Sequence, residues 1–138
     1  MANKQIIERV EVIPLRVPYP RPMQWATVRE DAASYGLMKI TTTDGLVGVA
    51  EGTVKTTWTG TTLKSLVVAV EELFAPALKG LDIDDETALA KVWRIREHSL
   101  AKAMIDVAIW DIRSQVAGKP LYALWGGKRD VPVSWVVA

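Results

Sequence analysis

The chain of 138 residues has no cysteine and a single histidine, His98. The first absence excludes a disulfide framework, a thiolate nucleophile and any cysteine-ligated metal site. The second leaves a metal site dependent on carboxylates and a nucleophilic triad dependent on His98 alone. His98 falls between two helical patterns, where a polar end residue is an ordinary structural choice. Charge imbalance is missing too: seventeen Lys and Arg face sixteen Asp and Glu, a net charge of +1, and the basic residues are scattered. Without a basic stripe no nucleic-acid partner is expected. No apolar run approaches the roughly 18 residues of a spanning helix. The opening MANKQIIERVEVI is charged where a secretory signal needs an apolar stretch. No membrane partner is therefore expected, and the expected compartment is the cytoplasm.

What is present suits one globular domain, with 49% hydrophobic and 24% charged residues. A chain of this size can bury roughly 68% of the surface it exposes unfolded. Residues 6–17, IIERVEVIPLRV, alternate as a strand does, with Val10 and Val12 on one face and Arg9 and Glu11 on the other. Pro14 marks an edge or an exit. Pro18, Pro20 and Pro22 then predict a loop carrying Met23 and Trp25. A second strand, YGLMKITT, meets Asp44-Gly45, the signature of a two-residue primed turn, and LVGVAEGT follows as a third.

Helical periodicity takes over near Thr61. Leu63, Leu66, Val67, Val70 and Phe74 share a face, Thr61 or Thr62 caps the start, Pro76 distorts the last turn and Gly80 lies past the end. A shorter helix over 85–97 opens on acids. A third runs from about Ser99 to Gly118, burying Ala101, Ile105, Ala108, Ile109, Ile112 and Val116, with small Ala101 and Ala108 permitting close approach. The expected fold class is α+β: a three-stranded antiparallel meander followed by a three-helix bundle. The tail over 131–138, VPVSWVVA, is apolar on both alternating faces, as a strand inside a parallel sheet would be. That order leaves it no partner, so a domain over 1–130 and the first strand of a second domain over 131–138 are expected.

Several patterns that suggest chemistry fail on spacing. The stretch from Asp82 to Glu86 opens like a calcium loop, but Thr87 stands where the glycine belongs and Trp93 where the bidentate Glu belongs. Gly126-Gly127-Lys128 lacks the earlier glycine and the following hydroxyl of a phosphate loop. Gly45, Gly48 and Gly52 follow a hairpin, which makes them turn and packing glycines. Asp106 and Asp111, five residues apart on one helix, point about 140° from each other. They are read as structural ion pairs, Asp106 with Lys102 and Asp111 with Arg94 or Arg96. Trp25 and Trp58 lie in polar or proline-flanked stretches, where both ordinary packing and contact with a ligand or another domain are open.

The strings DGLVGVAE, APALKGLD and AKAMIDVAIWDIRSQVAGKPLYALWGGKRDVPVSW resemble the N-terminal capping domain of the muconate lactonizing enzyme and mandelate racemase branch of the enolase superfamily. The resemblance covers essentially the whole chain. Ala50, Met104, Ser114 and Gln115 depart from the usual pattern. It implies an enolase-like N-terminal fold that ends in the first strand of a TIM-type barrel. It also implies an enzyme that removes a proton α to a carboxylate, with magnesium stabilising the enolate. The catalytic residues and metal ligands of such an enzyme lie on the barrel, so none is expected in this chain. The cap would contribute two loops, 19–27 and 53–59, that close over a small carboxylate substrate. Met23, Trp25, Lys55, Thr57 and Trp58 become the expected substrate-binding residues, with Lys55 complementing negative charge. The expected partners are the protein's own C-terminal barrel and further copies of itself in a homo-oligomer. The competing expectation is a non-enzymatic interaction domain presenting Trp25 and Trp58.

Overall fold

A computed structural model describes residues 4–134. Three antiparallel strands, β1 (Ile7–Gln24), β2 (Arg29–Thr42) and β3 (Val47–Val54), form a sheet in the order β1-β2-β3. The helical half then follows as α1 (Thr56–Thr59), α2 (Leu63–Ala69), a π-helical stretch (Val70–Phe74), α3 (Ala75–Leu78), α4 (Glu86–Val92), α5 (Ser99–Ala117) and α6 (Leu121–Leu124). This is the expected α+β arrangement of a meander followed by helices.

The first strand is longer than its prolines suggest. Residues 18–24 continue β1 instead of forming a loop, and the β1/β2 hairpin closes only at 25–28, where the Trp25 amide donates to the Val28 carbonyl at 2.8 Å. Pairing runs without a break from Arg9↔Thr41 to Pro18↔Ala32, slips, and resumes at Met23↔Glu30. Beyond Ile7, whose backbone pairs with Gly80 and Leu81, the strand tolerates proline because it has a neighbour on one side only. Pro14 and Pro18 are four apart, so both present the same side, and turned to the open edge their missing N–H costs the ladder nothing.

The second turn also differs from expectation. Only Gly45 of the Asp44-Gly45 pair is left-handed, at φ 91°. Three residues, 43–45, span the turn, because the Thr42 amide donates to the Leu46 carbonyl at 2.9 Å and the Leu46 amide donates to Thr42 Oγ1 at 3.1 Å. The Thr42 hydroxyl donates to the Asp44 carboxylate, which is the chief cause holding that carboxyl below its usual range, with burial opposing it. A buried threonine thus supplies what the primed turn would have supplied with a second positive φ.

Along 63–78 the helix widens into π geometry one residue ahead of Ala75-Pro76. The Ala75 amide bonds Val70, five residues back. Pro76 has no amide proton and its ring crowds the carbonyl four residues earlier, so a wider turn relieves both. Thr62 caps α2 reciprocally with Ser65, and Asp85 caps α4 through the Ala88 amide. The helix expected over 85–97 is shorter, ending at Val92, and the chain reverses through consecutive left-handed residues Glu97 and His98. His98 sets its ring edge-on to Phe74, with centroids 6.0 Å apart.

One face of the sheet carries Val10, Val12, Met38, Ile40, Ala50 and Val54 into a core completed by Leu66, Val70, Phe74 and the α5 stripe Ala101, Met104, Ile105, Ala108, Ile109 and Ile112. Val116, expected in that stripe, is exposed. The approach of α5 to β3 is set by Gly48. A methyl group there would overlap the Ala108 carbonyl oxygen and come within 2.7 Å of Ile112 Cγ1. The expected partners of Asp111 are replaced: its carboxylate accepts from the Val49 amide at 2.9 Å, not from Arg94 or Arg96. Beside it Gln115 Nε2 donates to the Val47 carbonyl at 2.8 Å. These side chains satisfy the free edge of β3. Among the described residues Asp106 takes part in no ion pair with Lys102.

Residues 131–134 are exposed and join no strand. The remainder of the tail, including Trp135 and Val136, lies outside the described residues.

Candidate functional site at the loop end of the sheet

Two connections meet at one end of the sheet. The β1/β2 hairpin delivers Trp25, Ala26, Thr27, Val28 and Glu30; the exit of β3 delivers Lys55, and α1 delivers Thr57 and Trp58. Register explains the meeting. Ser34 pairs with Val54, so Glu30, four residues toward the tip on β2, lies level with the chain just beyond β3. Together these residues line a hollow of about 260 Å³.

The two sides of the hollow are tied by Glu30. Its Oε2 accepts from Lys55 Nζ, and also from Trp25 Nε1 at 3.1 Å. The Lys55 ammonium lies 5.5 Å from the centroid of the Trp25 ring, within reach of a cation–π contact. The Lys55 and Glu30 side chains are 17% and 20% exposed. The Lys55 hydrogen bond, then the Trp25 hydrogen bond, holds the Glu30 carboxyl below its usual range, against the opposing effect of burial. The same bond to Glu30 raises Lys55 above the usual lysine range.

The expected site residues divide. Trp25, Lys55, Thr57 and Trp58 all line the hollow, and Trp58 is 77% exposed on a four-residue helix that buries none of its residues. Met23 does not line it: it sits on β1 opposite Glu30, half-buried. Glu30 is the residue that sequence reasoning missed. It lies 25 positions from Lys55, and the only available clue was a carboxylate two residues beyond a hairpin tip whose position the prolines obscured. Among the described residues no three His, Asp or Glu side chains are grouped to hold a metal ion. No helix among the described residues is long and apolar enough to cross a membrane.

A three-stranded meander closed by helices, with loops of the sheet converging at one end, is the architecture of an enolase-type N-terminal domain. The model of the mandelate racemase / muconate lactonizing enzyme N-terminal domain matches residues 9–126. The chain belongs to that family. It is 34% identical over 138 residues to muconate cycloisomerase 1-2 of Acinetobacter lwoffii, covering 96% of this chain and 36% of the relative. The crystal structure of muconate lactonizing enzyme from Pseudomonas fluorescens, complexed with muconolactone, superposes with a TM-score of 0.83 at 25% identity. That match covers 93% of this chain and 36% of the other. A dipeptide epimerase from Enterococcus faecalis V583, complexed with Mg and the dipeptide L-Leu-L-Tyr, gives 0.77 at 30% identity, covering 86% and 34%. The chain thus spans little more than a third of the length of these relatives.

Proposed function

We propose that this domain is the substrate-enclosing cap of a longer isomerase, muconate cycloisomerase-like or a racemase or epimerase, that removes a proton α to a carboxylate. The observation that carries the reading is the convergence of Trp25, Lys55 and Trp58 around one hollow in a chain of this family. Loops on a rigid scaffold are where contact residues are placed, and closing an aromatic lid over a reacting centre excludes water. The length of the relatives leaves room for a (β/α) barrel. Such a barrel would hold the base and the magnesium ligands at the mouth that the cap covers. In this reading residues 1–130 are the cap, 131–138 begin the barrel, and the enzyme assembles as a homo-oligomer.

The test is made on the full-length protein. Trp58→Ala should raise KM and alter the ranking of carboxylate substrates while leaving magnesium affinity unchanged. Loss of magnesium binding with folding intact would place Trp58 outside a lid. A full-length protein with no barrel and no turnover of any carboxylic acid would favour the interaction-domain reading.

A further inference from the structure

We infer that Glu30 is a specificity-determining residue. By matching the charge of Lys55 it makes the lid hollow accept substrates whose far end is uncharged, and disfavour those with a second carboxylate there. This rests on the lid reading above, and within it favours a racemase or epimerase over turnover of muconate, itself a dicarboxylate. Among the described residues Glu30 and Lys55 are the only charged ones lining the hollow, and they face each other. The ammonium already has a carboxylate on one side and the face of Trp25 on another. An incoming carboxylate would have to share one cation with Glu30, placing two like charges together in a partly desolvated site, a juxtaposition that electrostatic complementarity selects against.

What the hollow still offers is uncharged: the 41%-exposed Trp25, the 77%-exposed Trp58, the aliphatic side chains of Ala26 and Val28, and the side chains of Thr27 and Thr57. A volume of about 260 Å³ is below the range typical of whole drug-sized ligands and suits one end of a small molecule. Glu30 also sets the wall. Its bond to Trp25 Nε1 fixes which face of the indole meets the hollow. A lone lysine in the sequence signals an anionic substrate end, whereas the charge-matched pair signals an uncharged one.

The experiment is equilibrium binding of two probes of similar length, isocaproate and glutarate, to the full-length protein with magnesium, read by tryptophan fluorescence. Wild type should bind isocaproate the more tightly. Glu30→Gln keeps an oxygen for Trp25 Nε1 and frees the charge of Lys55, so it should shift the ratio of affinities toward glutarate by about tenfold or more. Glu30→Asp should keep the wild-type preference, and Glu30→Gln combined with Lys55→Met should restore it. The ratio is taken within each variant, which separates specificity from any general loss of folding. A wild-type preference for glutarate that Lys55→Met removes and Glu30→Gln leaves unchanged would overturn the charge-matching inference while keeping the lid. A ratio indifferent to every one of these substitutions would overturn both.

Discussion

Replacing Gly48 with alanine tests the packing on which the whole cap is built. The added methyl would sit 2.7 Å from Ile112 Cγ1 and overlap the Ala108 carbonyl oxygen. Carbon atoms pack best at about 3.5–4.0 Å, so α5 would have to withdraw from β3 by about 1 Å. A side chain can rotate out of the way, but the obstructing oxygen belongs to a helix backbone. Overpacking of a core costs about 1–3 kcal/mol, and a backbone obstacle argues for the upper end. The same withdrawal would stretch the bonds from Asp111 to the Val49 amide and from Gln115 to the Val47 carbonyl, now 2.9 and 2.8 Å. Each is worth about 0.5–1.5 kcal/mol net. The expected loss is about 4 kcal/mol, a large share of the roughly 5–15 kcal/mol that holds a domain together. Gly45→Ala is the control, because its φ of 91° makes alanine strained while nothing lies within 4 Å of the new methyl. That substitution should cost only about 1–2 kcal/mol. Urea unfolding followed by tryptophan fluorescence gives both numbers. A midpoint for Gly48→Ala no lower than that for Gly45→Ala would refute the claim that β3 and α5 are in backbone contact here.

Asp111→Ala removes the acceptor for the Val49 amide; with water able to reach the half-exposed strand, the expected cost is about 1 kcal/mol. Hydrogen exchange at Val49 should accelerate while that of the buried β2 amides is unchanged, and equal acceleration throughout would contradict a local edge role. The Glu30–Lys55 clasp has a pH window set by opposite shifts. Glu30 is depressed, so its contribution is full above the unfolded carboxylate value of about 4.3 and is lost as pH falls through the lower folded value. Lys55 is raised, so its contribution is full below about 10.4 and is lost as pH rises through the higher folded value. Trp25 emission should therefore be flat across neutral pH and change only toward the two extremes, and a titration step near neutrality would be inconsistent with the pair.

The fold was legible wherever one side chain decides one local outcome. Leu66, Val70, Phe74 and the α5 stripe as far as Ile112 declared their buried faces by spacing, Thr61 or Thr62 and the acids at 84–86 marked the helix starts, and Gly48 was recognisable as a packing glycine. Prolines misled because their meaning depends on which side of a strand they face. On β1 that side is open, so a sequence that reads as a loop folds as the long arm of a hairpin. The same error hid the tip at 25–28 and with it the position of Glu30. Lys55, Thr57 and Trp58 were visible as an anomalous polar loop with one exposed aromatic. Their counter-charge was not, because contact between residues 30 and 55 is a product of register, and register shows only once the hairpin length is known. Asp111 taught a related lesson: a carboxylate on an apolar helix was read as seeking a cation, when the nearer need was a strand amide with no neighbour.

The two sheet edges are closed by unlike means, and this bears on how the lid can vary. On β1, prolines remove donors from the open side; on β3, Asp111 and Gln115 occupy the groups a further strand would use. An unprotected edge invites pairing with another chain, and a long exposed edge strand is especially prone to it. With both edges blocked, the hairpin can extend to Gln24 and present Trp25 without offering a template for strand addition. The residues lining the hollow also stand apart from the core: α1 buries no side chain, and neither Trp25 nor Trp58 belongs to the buried cluster. Substitution at these positions changes the hollow at little cost in stability, whereas substitution at Gly48 or Ala108 changes stability without touching the hollow. If these residues form the proposed lid, separation of this kind lets one scaffold accept different substrate ends, because the residues lining the hollow are not the residues that fold.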